Sequence, residues 1–204
     1  MKKSLPILAI IAFVTSCSMI GPKPHTIYER TDLNSKISKV IVFPTTDFSG
    51  KVSAGAKSID PSIIVGWGTV YGADKTIPAG IIIEKVTGAI GNNFYSKFIS
   101  TLDNVSAIEQ VASNPAVKNF ASQITEKFGN YQFALAIISG GEAEYNSGNS
   151  IYLHLGLFDT KNLTWRLIAK IETKKGAAGN WQVASKAMIA NAFDAFKKAN
   201  DKAE

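Results

Sequence analysis

Two runs near the carboxyl end restrict the fold more than any other feature of the chain. In residues 151–158, Ile151, Leu153, Leu155 and Leu157 alternate with Tyr152, His154, Gly156 and Phe158. In residues 164–173, Trp165, Leu167, Ala169 and Ile171 alternate with Thr164, Arg166, Ile168 and Lys170. A period of two is the mark of a strand with one face on a core. Asp159 to Asn162 separates the runs, so the pair reads as an antiparallel hairpin. Neither run suits a helix, whose apolar positions recur every three or four residues.

The first half of the chain alternates strands and helices instead. Lys39–Phe43 is apolar on both faces, as expected of a strand covered on both sides, and stops at Pro44. From Pro78 the spacing turns helical: Ile82, Val86, Ile90, Phe94 and Phe98 form one stripe. Val105–Val111 is a short strand candidate. Asn114-Pro115 opens a second helix with a stripe of Val117, Phe120, Ile124 and Phe128, ended by Gly129. Phe133–Ser139 reads as a buried strand. Residues 182–199 form a last helix, with Met188, Ala192, Phe193 and Phe196 inward and Lys186, Lys197 and Lys198 outward. Alternating strands and helices imply parallel crossovers, and the hairpin adds antiparallel neighbours. A mixed five-stranded α/β sheet flanked by helices satisfies both.

The amino terminus reads as an address. Lys2 and Lys3 precede the apolar run Leu5–Val14, which is half the length needed to span a bilayer. Val14-Thr15-Ser16-Cys17 follows and resembles the bacterial lipobox, an aliphatic and two small residues before an obligatory cysteine. Cys17 is the chain's one cysteine. The resemblance implies cleavage after residue 16 and a diacylglyceryl anchor on Cys17, with Ser18 favouring the outer membrane. Residues 1–16 are then a signal peptide, residues 17–36 a lipidated cysteine with a tether, and 37–204 one α/β domain. Nineteen flexible residues would span roughly 25 Å.

Composition closes off several chemistries. One cysteine and two histidines, His25 and His154, exclude disulfide scaffolds and multi-cysteine metal centres. No metal and no cofactor is expected. The net charge of +6 loses two lysines with the leader, and no run of five like charges exists. Nucleic acid is therefore not an expected partner.

Three stretches resemble a superfamily of bacterial envelope proteins. The superfamily includes the curli-export lipoprotein CsgG, the penicillin-binding-protein activator LpoB and the amino-terminal domain of TolB. KVIVFPTTDFSG (39–50) is similar to their opening strand, and FGNYQFALAIISGGEAEY (128–145) to their aliphatic strand ending in glycine. Asp159-Thr160-Lys161-Asn162-Leu163-Thr164-Trp165 resembles their Asp-x-x-Thr-Gly-x-x-x-Trp hairpin, without the turn glycine. The resemblance implies a sheet order 2-1-3-4-5 with strand 4 antiparallel, and a binding or assembly role without catalysis.

Candidate site residues follow from what remains. His154 faces away from three leucines, and strand spacing separates it from Ser150 and Asp159, so no triad forms locally. Glu142 and Glu144 share one side of a strand end. The segment 44–77 is too long for a simple connection and contains the β-prone stretch 62–72. It reads either as a strap packed on the sheet edge or as a partner-binding element. In the second reading Trp67, Tyr71 and Phe48 are the aromatic anchors. The expected activity is that of a non-enzymatic, membrane-anchored lipoprotein in a secretion or export assembly, meeting envelope proteins or copies of itself. Activation of a peptidoglycan synthase and capture of a periplasmic ligand are the alternatives.

Overall fold

A computed structural model describes residues 25–29, 37, 39–79, 115–129, 131–176 and 179–201. Its strands are β1 (His25–Glu29), β2 (Val40–Val42), β3 (Thr76–Pro78), β4 (Gln132–Ile138), β5 (Ile151–Asp159) and β6 (Thr164–Thr173). Its helices are α1 (Ala54–Tyr71), α2 (Pro115–Phe128), α3 (Glu142–Asn146) and α4 (Trp181–Asp201).

The strands form one sheet in the order β1-β6-β5-β4-β2-β3. β2 is parallel to both β3 and β4, and β5 is antiparallel to β4 and β6. Five of the strands thus make a mixed α/β sheet of order 2-1-3-4-5, with the fourth antiparallel, as expected. The edge place beside β2 is held by Thr76–Pro78. The expected strand 105–111 and the helical stripe after Pro78 lie outside the described residues. A sixth strand extends the other edge: β1 pairs antiparallel with β6. It comes from the segment read as a tether, whose Pro and Gly content hides five residues that pair along one side with β6.

β4 is buried from Phe133 to Ile138, which accounts for its unbroken apolar run. One face of the sheet carries Val42, Ala136, Leu153, Leu155, Leu157, Ala169 and Ile171 into the core beneath α1 and α4. Met188, Ala192 and Phe196 of α4 meet it, while Lys186, Lys197 and Lys198 stay exposed, as the helical spacing required. α2 forms over the expected span, and Gly129 follows it at φ +80°.

The hairpin departs from strict alternation at one point. The register slips between Leu157 and Phe158, so Leu157 faces Leu167 while Phe158 faces Trp165. The extra residue is Arg166. A one-residue slip moves a side chain to the opposite face, and Trp165 leaves the set formed by Leu167, Ala169 and Ile171. It joins the second face, where its ring meets Phe158 at 5.3 Å, Phe158 meets Phe133 at 6.4 Å and Phe133 meets Phe43 at 5.3 Å. At the tip, Asp159 accepts hydrogen bonds from the Lys161 and Asn162 N–H groups (2.9 and 3.1 Å). Leu163 takes the positive φ of 52°.

Candidate interaction surface

Residues 54–71 are neither a strap nor a hairpin. They form the 18-residue helix α1, and this corrects the β-prone reading of 62–72. Ile59, Ile63, Trp67 and Tyr71 recur every four residues and all are buried. Ser53 opens the helix, its Oγ accepting from the Ala56 N–H (3.2 Å). Pro61 and the glycines at 55, 66 and 68 lower the local helix propensity. Two of those glycines have a packing reason. A Cβ on Gly55 would lie 2.7 Å from the Gly140 carbonyl oxygen, and one on Gly66 would lie 2.1 Å from the Phe193 ring. Absent side chains let α1 sit directly on the Gly140-Gly141 backbone at one end and on α4 midway. Asp60 adds a tie: the Thr45 N–H and hydroxyl both donate to its Oδ1 (2.7 and 2.8 Å).

The sequence candidates separate accordingly. Trp67 is fully buried, its ring 5.0 Å from Phe193 and 4.7 Å from Phe196. Tyr71 stacks on Trp67 at 5.9 Å. Burial pushes the Tyr71 hydroxyl well above its ordinary pKa, the nearby Arg166 charge offsetting only part of this. Both rings are core of the α1–α4 seam, so neither is an anchor for a partner. Phe48 differs: it is 36% exposed, its ring edge-on to that of His154 with the centroids 5.2 Å apart. His154 itself is buried. Glu142 and Glu144 lie on α3 and not on a strand end. Glu144 Oε2 accepts from the Gly141 N–H (2.8 Å), and that bond lowers its carboxyl pKa. Cys17 lies outside the described residues.

Two surfaces could meet something else. The first is an open groove of about 350 Å³ between α1 and α4, with Val65, Val70, Ile189 and Phe193 as apolar wall and Lys186 and Lys197 at its rim. The second is the end of the sheet at which β2, β4 and β6 finish. The parallel bridge from Thr46 to Ile137 carries the chain up to that end. There Asp47 closes a turn by accepting from the N–H groups of Ser49 and Lys51 (2.8 and 3.0 Å) and from the Ser49 hydroxyl (2.6 Å). Partial burial raises the Asp47 pKa, but these bonds and the Lys51 charge together hold it below the usual value. α1 starts at the same end, beside Gly140-Gly141. α3 and the start of α4 meet there too, with Tyr145 and Trp181 rings 5.7 Å apart and Lys175 Nζ donating to the Asn146 carbonyl (2.8 Å). The sequence signal for this end was the Ser139-Gly140-Gly141 break after an aliphatic run. Its meaning, a seat for α1, needed the tertiary contact.

Among the described residues no cluster of three or more His, Cys, Asp or Glu could hold a metal ion. No described helix is long and apolar enough to cross a membrane. No protein-family model and no curated protein matches the chain. Solved structures do resemble it. A PelC dodecamer from Paraburkholderia phytofirmans matches with a TM-score of 0.51 at 7% identity, over 86% of this chain and 97% of that one. A point variant of that dodecamer matches with a TM-score of 0.49 at 8% identity, over 86% and 98%. At such identity the likeness is one of fold alone.

Proposed function

We propose that the protein is a non-enzymatic bacterial envelope lipoprotein, held at the outer membrane by a diacylglyceryl group on Cys17 and facing the periplasm. It works as a subunit of a larger envelope assembly of the secretion or export kind. One observation carries this reading: the chain's single cysteine stands at the one position a lipobox requires, directly after an apolar run too short to span a bilayer. Two acyl chains suffice for stable anchoring. The mixed sheet order 2-1-3-4-5 agrees with the resemblance to the CsgG, LpoB and TolB amino-terminal-domain superfamily. Self-association is part of the proposal, and the dodecameric state of the PelC proteins that share the fold favours it.

The test is a Cys17→Ser variant expressed beside the wild type. The wild type should be shortened, fractionate with membranes and leave them only with detergent. The variant should keep its leader or appear in the soluble fraction. Unchanged processing and unchanged membrane association of the variant would sink the reading. Sedimentation in detergent tests self-association, where a monomer at all concentrations removes that part. Crosslinking in cells followed by partner identification separates an export assembly from a peptidoglycan synthase.

A further inference from the structure

We propose that the carboxyl end of the parallel strands is the face this protein lays against the membrane, with Phe48, Val52 and Val183 entering the lipid interface. The inference rests on the reading of Cys17 as a lipid anchor, and it adds the orientation that the anchor imposes.

The argument begins with chain length. Eight residue steps separate Cys17 from His25, where β1 begins. They reach at most about 28 Å when fully extended. β1 is part of the sheet, so its first residue is a fixed point. His25 pairs with Lys170, three residues before the end of β6 and six after its start. The chain therefore enters the sheet about 10 Å from the end at which β2, β4 and β6 finish. To place the membrane at the other end, it would first run about 20 Å back along β6 and then clear the turn 160–163. Little of its reach would remain.

The side chains at the near end fit the same orientation. Four large hydrophobic residues stand exposed among the described ones: Phe48, Val52, Val65 and Val183. Phe48 and Val52 lie in the connection that leaves β2, and Val183 in the first turn of α4, which follows β6. Three of the four thus share one end, and Val65 faces the α1–α4 groove. These three stand at the same end of the sheet, Phe48 with its ring on His154 and Val183 on α4, and an apolar interface would cover them there. Lys51, Lys57 and Lys174 are exposed around them, suited to anionic headgroups. Of the acidic groups nearby, Asp47 and Glu144 turn a carboxylate oxygen onto backbone N–H groups, Glu172 accepts from the Tyr152 hydroxyl (3.4 Å), and Glu142 and Glu172 remain exposed. A phenyl ring and two valines among lysines suit an interface that is apolar below and charged above.

Lipidation occupies the sole native thiol, so new cysteines can carry a reporter. Val52→Cys, Val183→Cys and, at the opposite end, Lys161→Cys and Asp74→Cys variants of the full lipidated protein would be labelled with an environment-sensitive fluorophore. They would be reconstituted in vesicles of phosphatidylethanolamine and phosphatidylglycerol, with and without nitroxide-labelled lipid. Labels at 52 and 183 should be quenched several-fold more than labels at 161 and 74. A Lys51→Cys reporter should lose much of its quenching when Val52→Ser and Val183→Ser are combined, with the thermal midpoint unchanged. Equal quenching at both ends, or stronger quenching at 161 and 74, overturns the proposal. So does a label at 52 or 183 that is shielded in detergent without lipid, since a second copy would then cover that end. The Cys17→Ser variant keeps the two readings apart: membrane association without Cys17 defeats the lipoprotein assignment, whereas an anchored protein with unquenched labels at 52 and 183 defeats only the orientation.

Discussion

α1 and α4 lie side by side on one face of the sheet and are helices on different grounds. α4 has six alanines in 21 residues, an Asn180 side chain that accepts from the Val183 N–H (3.0 Å), and an Asp194–Lys198 pair at 2.7 Å. Its local sequence favours the helix before any packing is counted. α1 has Pro61 inside it, glycines at 55, 66 and 68, no acidic residue in its first turn and no basic one in its last. What holds it is its seat: Gly55 on Gly140-Gly141, Gly66 against Phe193, and Asp60 tied to Thr45. A helix can be written by its own residues or imposed by what it lies against. In the second case its glycines are contact points and not breaks.

This contrast can be broken by substitution. Trp67→Ala should have the largest effect, removing the ring at the centre of the seam at a cost of about 3–5 kcal/mol, read from urea unfolding. Asp60→Ala strips the Thr45 N–H and hydroxyl of their acceptor and should cost roughly 1.5–3 kcal/mol by the same measurement. Gly55→Ala and Gly66→Ala raise helix propensity yet should destabilise by about 1–3 kcal/mol, because the new methyl meets backbone or a packed ring. Gly68→Ala on the same helix has only ordinary contacts, 3.6 Å to Ala73, and should stabilise by up to about 1 kcal/mol. If all three glycine variants shift the unfolding midpoint in the same direction, the division between α1 and α4 is wrong. An Ala190→Gly change on the exposed side of α4 should cost about 1 kcal/mol, since propensity is what that position contributes.

The smallest effect is one of pH. Asp47 and Glu144 have folded-state pKa values below the ordinary 3.8 and 4.5. Groups lowered in this way add stability above their unfolded values and lose it as pH falls through the folded ones. Midpoints measured as pH drops below about 4 should therefore decline, and Asp47→Asn with Glu144→Gln should flatten that decline.

Much of the architecture was legible. The hairpin, β4, α2 and α4 show their period or their unbroken burial directly. Candidate contact residues were harder to place. Phe48 is exposed as a turn residue after β2 can be, but Trp67 and Tyr71, aromatic residues in a glycine-rich stretch, are core. The spacing Ile59-Ile63-Trp67-Tyr71 carried the helix signal, and Pro61 with the three glycines masked it. Trp165 shows a different limit, because a bulge at Arg166 leaves no mark on the alternating pattern while changing which face every earlier residue takes.

By itself the sequence determined the hairpin strands, β4, α2 and α4, how the hairpin turns, and that its one thiol follows an apolar run. These are short-range properties, set by side-chain period and neighbouring residues. Only the tertiary structure decided that residues 54–71 are helical, that His25–Glu29 closes the edge of the sheet, and that Trp165 belongs to the second face. Each of those depends on a surface supplied by residues far along the chain, so the free energy that selects it is absent from the local segment.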